Sequence, residues 1–330
     1  MKLKYFIIPT LIIGFYFTQS CKEDDEIVPN CQVEFTYDPT PYDLEKPCGV
    51  PEMDIPTDNP MTMKGVQLGR MLFYDPILSG DSTQACASCH AQEFAFSDNG
   101  LQFSLGIDNL AGNRNAMAAI NLGYAVDFFW DGRVISMEDQ ALGPVENPIE
   151  MHNTWANAVK SLQKNPDYPR LFGEAFNTST ITKELTVKAI AQFERTLLSY
   201  NSKYDRVYCG TEFYTDDAVI RGFEIFTTEE GDCFHCHGTI HFTDHSIRNN
   251  GLDSVFTDLG LAEVTGNATD EGMFKIPTLR NLAWSAPYMH DGRFQTLDEV
   301  IDFYSEGMRN SATLDPLLRT KHVADRKSVV

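Results

Sequence analysis

The apolar residues of this chain recur mainly at helical spacing. In residues 155–162 and 183–198 they fall at positions i, i+3 and i+4, and helices are also predicted over 65–73 and 216–226. A further helix is predicted over 296–304, because a Thr followed closely by acidic residues is a typical helix start. Alternating strand patterns are almost absent. The pattern therefore predicts a mainly α fold.

Long loops separate these helices. Residues 94–114 are rich in Gly and Asn, and residues 251–270 carry turn signals. Residues 21–60 are rich in Asp and Pro with little apolar periodicity, so we expect a tether followed by an extended arm. Hydrophobic residues make up 42% of the 330 positions, which is enough for a sizeable core. We therefore expect long ordered loops packed around helices.

Residues 1–20 predict a targeting segment. Met1 to Lys4 is basic, and the apolar run from Tyr5 to Phe17 is short for a membrane-spanning helix. Cys21 follows a small residue and precedes an acidic run, as in a bacterial lipoprotein, so it would carry a lipid anchor to the membrane. The alternative is a plain signal peptide with an incidental Cys. Both predict an exported protein, and the lipoprotein would be periplasmic or on the cell surface of a Gram-negative bacterium.

The net negative charge of the chain limits which macromolecules are expected to bind it. The net charge is −21 and the isoelectric point is about 4.6, which argues against a nucleic-acid partner. A small basic redox protein would be steered towards this surface. An acidic one would need a local basic patch.

Two copies of the motif Cys-x-x-Cys-His carry the strongest chemical signal. Two thiols about one helical turn apart can add to the two vinyl groups of haem, and the adjacent His can ligate the iron. A zinc half-site or a redox dithiol is the alternative for a lone Cys-x-x-Cys. Two complete motifs in an exported chain favour two covalently bound haem c groups. The attachment residues would be Cys86, Cys89, Cys233 and Cys236, and the iron ligands would be His90 and His237.

The other cysteines suggest a disulfide. Cys31 and Cys48 flank a stretch rich in Pro and Tyr that has no helical period. In an oxidising compartment this predicts a bond between these two cysteines. Cys209 would then be left over, either buried or free.

The chain also contains a coarse internal duplication. Each half has a helix, a haem motif, a long loop and an aromatic-rich element that ends in Asp-Gly-Arg. Residues 129–133 match residues 288–293 in this way. We expect two cytochrome c-like haem domains, over 61–200 and 201–330. We expect the second to be truncated, because its last six residues resemble a translated adapter.

The ordered motifs resemble the bacterial di-haem cytochrome c peroxidase and MauG family, over roughly residues 60 to 315. Besides both haem motifs, the resemblance rests on Arg114-Asn115, Phe128 to Arg133, Glu138 to Gln140, Asn147 to Met151, Pro277 to Asn281 and Pro287 to Arg293. It implies an oxidoreductase that reduces hydrogen peroxide at the N-terminal haem. Electrons would come from a redox protein or quinol through the C-terminal haem. The resemblance also allows a homodimer.

The resemblance implies roles for four residues around the N-terminal haem. Trp130 would bridge the two haems, Glu150 would move a proton between the peroxide oxygens, Gln140 would orient it, and Pro144 would shape the pocket. Cleavage of the O–O bond independently requires such a proton carrier, and a carboxylate with a raised pKa can serve. The alternative for Glu150 is an ordinary surface carboxylate.

The resemblance also implies a calcium ion between the two domains. Asn115 matches one of its ligands, and main-chain oxygens of Ser285 and Pro287 would complete the protein's share. Ligation by oxygen alone suits Ca²⁺.

Two departures from the peroxidase pattern bear on function. Residues 91–151 contain no His, so the N-terminal haem should be open without reductive activation, and His152 is interpreted as an ordinary loop residue. Tyr304 stands where the peroxidases have a Met ligand of the C-terminal haem, as in MauG. A phenolate would stabilise Fe(III) there. Met308 and Met289 are the alternative ligands.

These departures keep two other functions open. The first is MauG-like oxidation of side chains on a partner protein, which the missing distal His and Tyr304 favour. The second is electron transfer without catalysis, which Gln140 and Glu150 argue against.

Overall fold

The computed structural model describes residues 33–98 and 100–319. The targeting segment, Cys21, Cys31 and residues 320–330 lie outside this part of the chain. Within it the fold is mainly helical, as the sequence predicts. The helices are α1 Met63–Tyr74, α2 Cys86–Cys89, α3 Met137–Glu146, α4 Trp155–Lys164, α5 Tyr168–Phe176, α6 Lys183–Glu194, α7 Lys203–Tyr208, α8 Asp217–Phe226, α9 Phe234–His237, α10 Ala262–Thr265, α11 Leu297–Asp302 and α12 Pro316–Arg319.

Strand structure in the described residues is limited to short pieces. Strands β1 (Ile247–Arg248) and β2 (Phe274–Lys275) pair antiparallel, with Ile247 opposite Lys275. Isolated bridges tie several loops together, such as Pro41 with Thr62. The near absence of strands agrees with the sequence pattern.

All five predicted helices are present, with differences at their ends. α6 ends at Glu194, four residues before its predicted end, because the Thr196 hydroxyl bonds to the Phe193 carbonyl over 2.6 Å and closes the chain into a turn. α11 ends at Asp302 and continues as a π-helical turn over Phe303–Gly307. The loop predicted over 251–270 contains the short helix α10.

The predicted start of α11 is a capping box. The Thr296 hydroxyl accepts a hydrogen bond from the Glu299 amide over 3.2 Å, and the Glu299 carboxylate accepts one from the Thr296 amide over 3.0 Å. These two bonds satisfy amide groups that have no partner inside the helix. Thr and acidic residues therefore fix where this helix begins.

The main apolar core lies in the first half, where α1 packs against α6. Contact is close because Gly69 faces the α6 backbone, and a Cβ added there would lie 1.8 Å from the Ala189 carbonyl oxygen. The fully buried members of this core that belong to α1, α4, α5 and α6 include Leu68, Leu72, Leu162, Phe172 and Ile190. Because Gly69 has no side chain, α1 and α6 approach closely at the crossing, and these residues pack into one cluster.

The second half has buried apolar side chains but, in the described residues, both hydrophobic clusters come from the first half. Ile225, Leu252 and Ile276 are buried at separate places. Ion pairs hold this half instead, such as the bidentate pair of Arg280 with Asp205 at 2.8 and 2.9 Å.

The internal duplication extends to local backbone geometry. Phe128 bridges Val134 in the first half, and Tyr288 bridges Phe294 in the second. Inside these turns Phe129 and Met289 have φ of 64° and 74°, and Gly132 and Gly292 have φ of 65° and 61°. Both Asp-Gly-Arg elements therefore form the same turn. The division into haem domains at residue 200 stays a prediction.

The predicted disulfide between Cys31 and Cys48 is wrong. Cys48 is bonded to Cys209, with 6.1 Å between the Cα atoms, so Cys209 is neither left over nor free. The arm brings Cys48 there by running extended along the helices. Its Asp38 amide donates to the Glu174 carbonyl over 2.9 Å at the end of α5, and Gly49 then lies against the ring of Tyr208.

No helix in the described residues combines the length and the apolar character that crossing a membrane requires. The predicted lipid anchor at Cys21 lies outside these residues.

Replacing Gly69 by Ala should destabilise the fold by about 1–3 kcal/mol, because the new methyl group would overlap the Ala189 carbonyl and force α1 and α6 apart. Thermal unfolding followed by circular dichroism measures the change. Gly112→Ala is the control, since its nearest neighbour would lie 3.9 Å away. Equal melting temperatures for the two variants would contradict this account of the helix crossing.

Candidate active site

A cavity of about 460 Å³ lies between the two haem motifs and is lined by residues from both halves. It collects most of the side chains that the sequence predicts for the site. These are Cys89, His90, Asn115, Trp130, Gln140, Pro144, Glu150, His237, Ser285, Pro287, Met289 and Tyr304. Cys86, Cys233, Cys236 and Met308 are outside its lining.

The two motif histidines are held in the same way. His90 Nδ1 donates to the Phe96 carbonyl over 2.9 Å, and His237 Nδ1 donates to the Phe242 carbonyl over 2.8 Å. A carbonyl can only accept, so each neutral ring keeps its lone pair on Nε2. Burial lowers the pKa of His237, which favours the neutral, metal-binding form. Both rings are therefore prepared to ligate a metal through Nε2.

The motif cysteines do not have the properties of a redox dithiol or a zinc half-site. Burial raises the pKa of Cys86 to about 12 and that of Cys236 to about 11, whereas reactive thiols have lowered values. None of the four belongs to a disulfide. In the described residues, none of them joins a cluster of three side chains that could hold a metal ion.

The site has unpartnered polar atoms that suit a group with polar substituents. Both ring nitrogens of His245 and Oε2 of Glu194 are buried without a hydrogen-bonding partner in the described structure, and both residues line the cavity. Paired thiols, an Nε2 directed away from the backbone and an apolar cavity with a few polar atoms fit two haem c groups.

Helix α3 and the turn after it place the predicted proton carrier. Gln140 and Pro144 lie one turn apart on α3, and Glu150 follows where the chain folds back. The Glu150 carboxylate accepts a hydrogen bond from Asn147 Nδ2 over 2.6 Å. Burial is the largest effect on Glu150 and raises its pKa, against the opposing influence of Asn147, His90 and Arg133. Glu150 is thus a partly buried acid that lines the same cavity as His90, and its role as proton carrier stays a prediction.

Trp130 links the two halves of the cavity. Its indole Nε1 donates to the Asn115 carbonyl over 2.8 Å, and its own carbonyl accepts from the Lys275 amide over 2.8 Å. The ring meets His290 edge-on, with 6.5 Å between the centroids. Trp130 is therefore buried and fixed between segments of the first and second halves of the chain.

Arg114 makes the polar link beside Trp130, a role that the sequence analysis did not assign. Its guanidinium binds Asp258 through two bonds of 2.7 Å and Asp131 through one of 2.5 Å. Asp131 belongs to the first Asp-Gly-Arg element, and Asp258 belongs to the loop before α10. One half-buried cation thus joins loops from both halves of the chain.

The residues predicted for calcium border the same cavity. The Asn115 amide nitrogen donates to the Leu101 and Gln102 carbonyls, each over 3.1 Å, so its Oδ1 takes no part in these two bonds. Ser285 and Pro287 line the cavity nearby. An amide oxygen with main-chain oxygens fits a hard cation. Calcium itself stays a prediction.

Of the three candidate ligands for the second haem, the structure brings two into the cavity. Tyr304 lies in the π-helical turn after α11, and its hydroxyl accepts from Asn250 Nδ2 over 3.1 Å. The same nitrogen lies 3.6 Å from the Met289 sulfur. Met308 follows the turn and lies outside the cavity lining. This placement favours Tyr304 or Met289 over Met308.

His152 is placed as an ordinary loop residue. Its Nδ1 contacts the Asp108 carboxylate at 2.5 Å, and its side chain is 55% exposed. It does not line the cavity.

Glu194 is a site residue that the sequence analysis missed. It ends α6, lies beside Cys86 and is buried, and burial raises its pKa to about 8. The signal was present, because Glu194 stands four residues after Ile190 and seven after Val187, on the apolar face of a predicted helix. An acid at such a position is either paired or held neutral.

Comparisons with known proteins identify relatives of this chain. The family model of the di-haem cytochrome c peroxidases matches residues 63–212. Methylamine utilization protein MauG of Methylophilus methylotrophus is 34% identical over 79% of this chain and 77% of that protein. Cytochrome c551 peroxidase of Nitrosomonas europaea is 34% identical over 72% of this chain and 71% of that protein. The solved structure of a MauG-like protein associated with microbial copper homeostasis superposes with a TM-score of 0.81 at 33% identity, covering 87% of this chain and 93% of that one.

Replacing Glu194 by Gln should change the pH dependence of stability. The folded pKa of about 8 lies above the ordinary 4.5, so the folded state binds this proton more tightly and stability falls as pH rises between these values. Relative to the parent, Glu194→Gln should gain on the order of 2–4 kcal/mol between pH 4.5 and pH 8.5. Thermal unfolding of the haem-loaded protein at both pH values measures this, with exposed Glu146→Gln as the control. A pH-independent difference would contradict the buried neutral acid.

Replacing Tyr304 by Phe should remove the low-spin electron paramagnetic resonance signal of the second haem if the phenol oxygen is its ligand. Met308→Leu should leave the signal unchanged, because Met308 lies outside the cavity lining. Met289→Leu tests the remaining candidate beside Asn250. A signal that survives in Tyr304→Phe and disappears in Met289→Leu would exclude the tyrosine.

Proposed function

The chain belongs to the di-haem cytochrome c peroxidase family, and from this premise we propose that it reduces hydrogen peroxide to water at the haem ligated by His90. It is an oxidoreductase of the peroxidase type, and membership of the family implies haem cofactors. Electrons would enter through the haem on His237. Family membership also agrees with an exported protein.

One observation carries the proposal. Glu150 is a partly buried carboxylic acid with a raised pKa in the cavity that His90 lines. Peroxide cleavage requires that a proton leave the oxygen nearer the metal and reach the oxygen that departs as water. A carboxylate with a raised pKa accepts a proton more readily than a surface carboxylate does. It can therefore take the proton from the first oxygen and give it to the second. A plain electron carrier has no use for such a group.

Each neighbouring side chain has a definite task in this scheme. Haem, when bound, supplies the iron that binds peroxide and accepts electrons. Asn147 holds the Glu150 carboxylate through its 2.6 Å bond, so the proton is exchanged at a fixed position. Gln140 offers an amide to orient peroxide, and Pro144 limits the cavity on the same helix face. Trp130, fixed by the Asn115 carbonyl, would carry electrons between the halves.

The finer features remain part of the proposal. The donor would be a small redox protein or quinol, and Asn115 with main-chain oxygens of Ser285 and Pro287 would bind calcium. Cys21 would anchor the exported protein to the membrane, and a homodimer is allowed. The family match supports the class of reaction.

A second function is favoured by a specific observation. Tyr304 reaches the cavity from a π-helical turn, and MauG of Methylophilus methylotrophus is as similar to the chain as the peroxidase of Nitrosomonas europaea. A phenolate ligand would lower the potential of the second haem. The oxidising equivalents of peroxide would then be used on side chains of a partner protein.

Glu150→Gln should lower kcat/KM for peroxide-dependent oxidation of a reduced donor by about 100- to 10,000-fold, because the amide cannot exchange the proton. Stopped-flow or steady-state assays with a reduced small cytochrome measure it. Glu146→Gln, an exposed position at the end of α3 and four residues before Glu150, is the matched control and should keep full activity. A Glu150→Gln enzyme within twofold of the parent would rule out this proton carrier.

The pH profile tests the same group independently. Below its raised pKa Glu150 is protonated and cannot take the peroxide proton, so kcat/KM should fall as pH drops through a value above the ordinary 4.5. Glu150→Gln should lack this acid limb. An unchanged acid limb in that variant would assign it to another group.

One experiment separates the two reactions. Peroxide is added to the oxidised holo-protein, first with a reduced cytochrome and then without a donor. Rapid donor oxidation supports peroxide reduction. A long-lived oxidised state that reacts slowly with donor, and that Tyr304→Met abolishes, supports oxidation of a protein partner instead.

A further inference from the structure

Three side chains converge outside the cavity, immediately before and within the second haem motif. Glu229, Asp232 and His235 each contribute one possible ligand atom, and these atoms lie within 4.8 Å of one another. In residues 33–98 and 100–319 no other three His, Cys, Asp or Glu side chains meet this closely. His235 is one of the two variable residues between Cys233 and Cys236, so the haem motif does not require a His there.

The distances match those between the ligands of a tetrahedral metal ion. His235 Nε2 lies 3.2 Å from Asp232 Oδ1 and 3.3 Å from Glu229 Oε1. Two ligands bound tetrahedrally at about 2.0–2.1 Å are separated by about 3.3 Å. The imidazole nitrogen is therefore already at one tetrahedral edge length from both carboxylate oxygens.

Two of the three ligands are held firmly, and the third faces solvent. The Asp232 side chain is 3% exposed, and its amide donates to the Thr228 carbonyl over 2.9 Å, which closes the loop after α8. His235 belongs to α9, and its ring lies against Phe234 with 4.1 Å between centroids. The Glu229 side chain is 72% exposed, so a cation can enter from that side.

The charges of the cluster favour a dication. The cluster supplies two carboxylates, and the Asp232 side chain is almost buried. A buried carboxylate is costly unless a cation compensates it. A divalent ion would compensate both carboxylates. The mixture of one nitrogen and two oxygen donors selects a zinc-type ion over calcium or magnesium.

We propose that Glu229, Asp232 and His235 bind a divalent cation of the zinc type, with its fourth position open to water. The ion would fasten the loop after α8 to the helix that carries His237. The proposal does not rest on the proposed peroxidase function, because none of the three side chains lines the cavity.

The test uses holo-protein that has been stripped with a chelator and titrated with Zn²⁺ alone. Isothermal titration calorimetry should give one zinc per chain, and X-ray absorption at the zinc edge should give one imidazole with oxygen ligands. Glu229→Gln should weaken binding by about 10- to 100-fold, and His235→Ala should weaken it further.

Matched variants keep the result interpretable. His152→Ala removes an exposed His that meets a single carboxylate, Asp108, and it should leave zinc binding unchanged. Haem absorption of each variant confirms that attachment is intact, and Glu229 lies outside the haem motif in case His235→Ala impairs it. The proposal is overturned if the parent binds no stoichiometric zinc, if both cluster variants keep it, or if His152→Ala loses it equally.

Discussion

Two backbone carbonyl groups determine what the cavity of this protein can hold. The carbonyls of Phe96 and Phe242 bind Nδ1 of the two motif histidines, which leaves each Nε2 as the basic atom. The chain reaches both positions through left-handed residues, with φ of 58° at Phe96 and 54° at Phe242. A turn that places a carbonyl beneath the imidazole thus follows each motif. Such a hydrogen bond orients the ring and raises its basicity as a metal ligand.

The two halves reach stability by different means. The first has a continuous apolar core around the crossing of α1 and α6. The second depends on nearly buried ion pairs, such as Arg280 with Asp205, whose separation would leave an uncompensated charge. Haem would provide the apolar surface that the second half lacks. The reactive centre proposed at His90 would therefore be built on the half that has the continuous apolar core.

The sequence predicted the parts of the molecule that local chemistry controls. Helices with long apolar periodicity and the two haem motifs are of this kind. Helix α3 was not predicted, because Pro144 is unfavourable inside a helix. Helix α5 was not predicted, because its nine residues are too few to show a helical period clearly. The bond from Cys48 to Cys209 was not predicted, because the two cysteines are 161 residues apart in the sequence and only the path of the arm brings them together. Glu150, Trp130 and Tyr304 likewise come together through the paths of loops, which local sequence patterns do not predict. Only the family resemblance therefore predicted that these three residues share a site.

The bond between Cys48 and Cys209 also has a consequence for assembly. With these two sulfurs joined, the described chain retains four thiols, Cys86, Cys89, Cys233 and Cys236. Two haem c groups would present four vinyl groups, so the number of these thiols equals the number of vinyl groups. Cys48 and Cys209 are the cysteines in the described residues that lie outside the haem motifs, and once they are bonded to each other neither thiol can react with a vinyl group. In an exported protein, oxidation of Cys48 and Cys209 before haem attachment would leave each porphyrin with its own two cysteines.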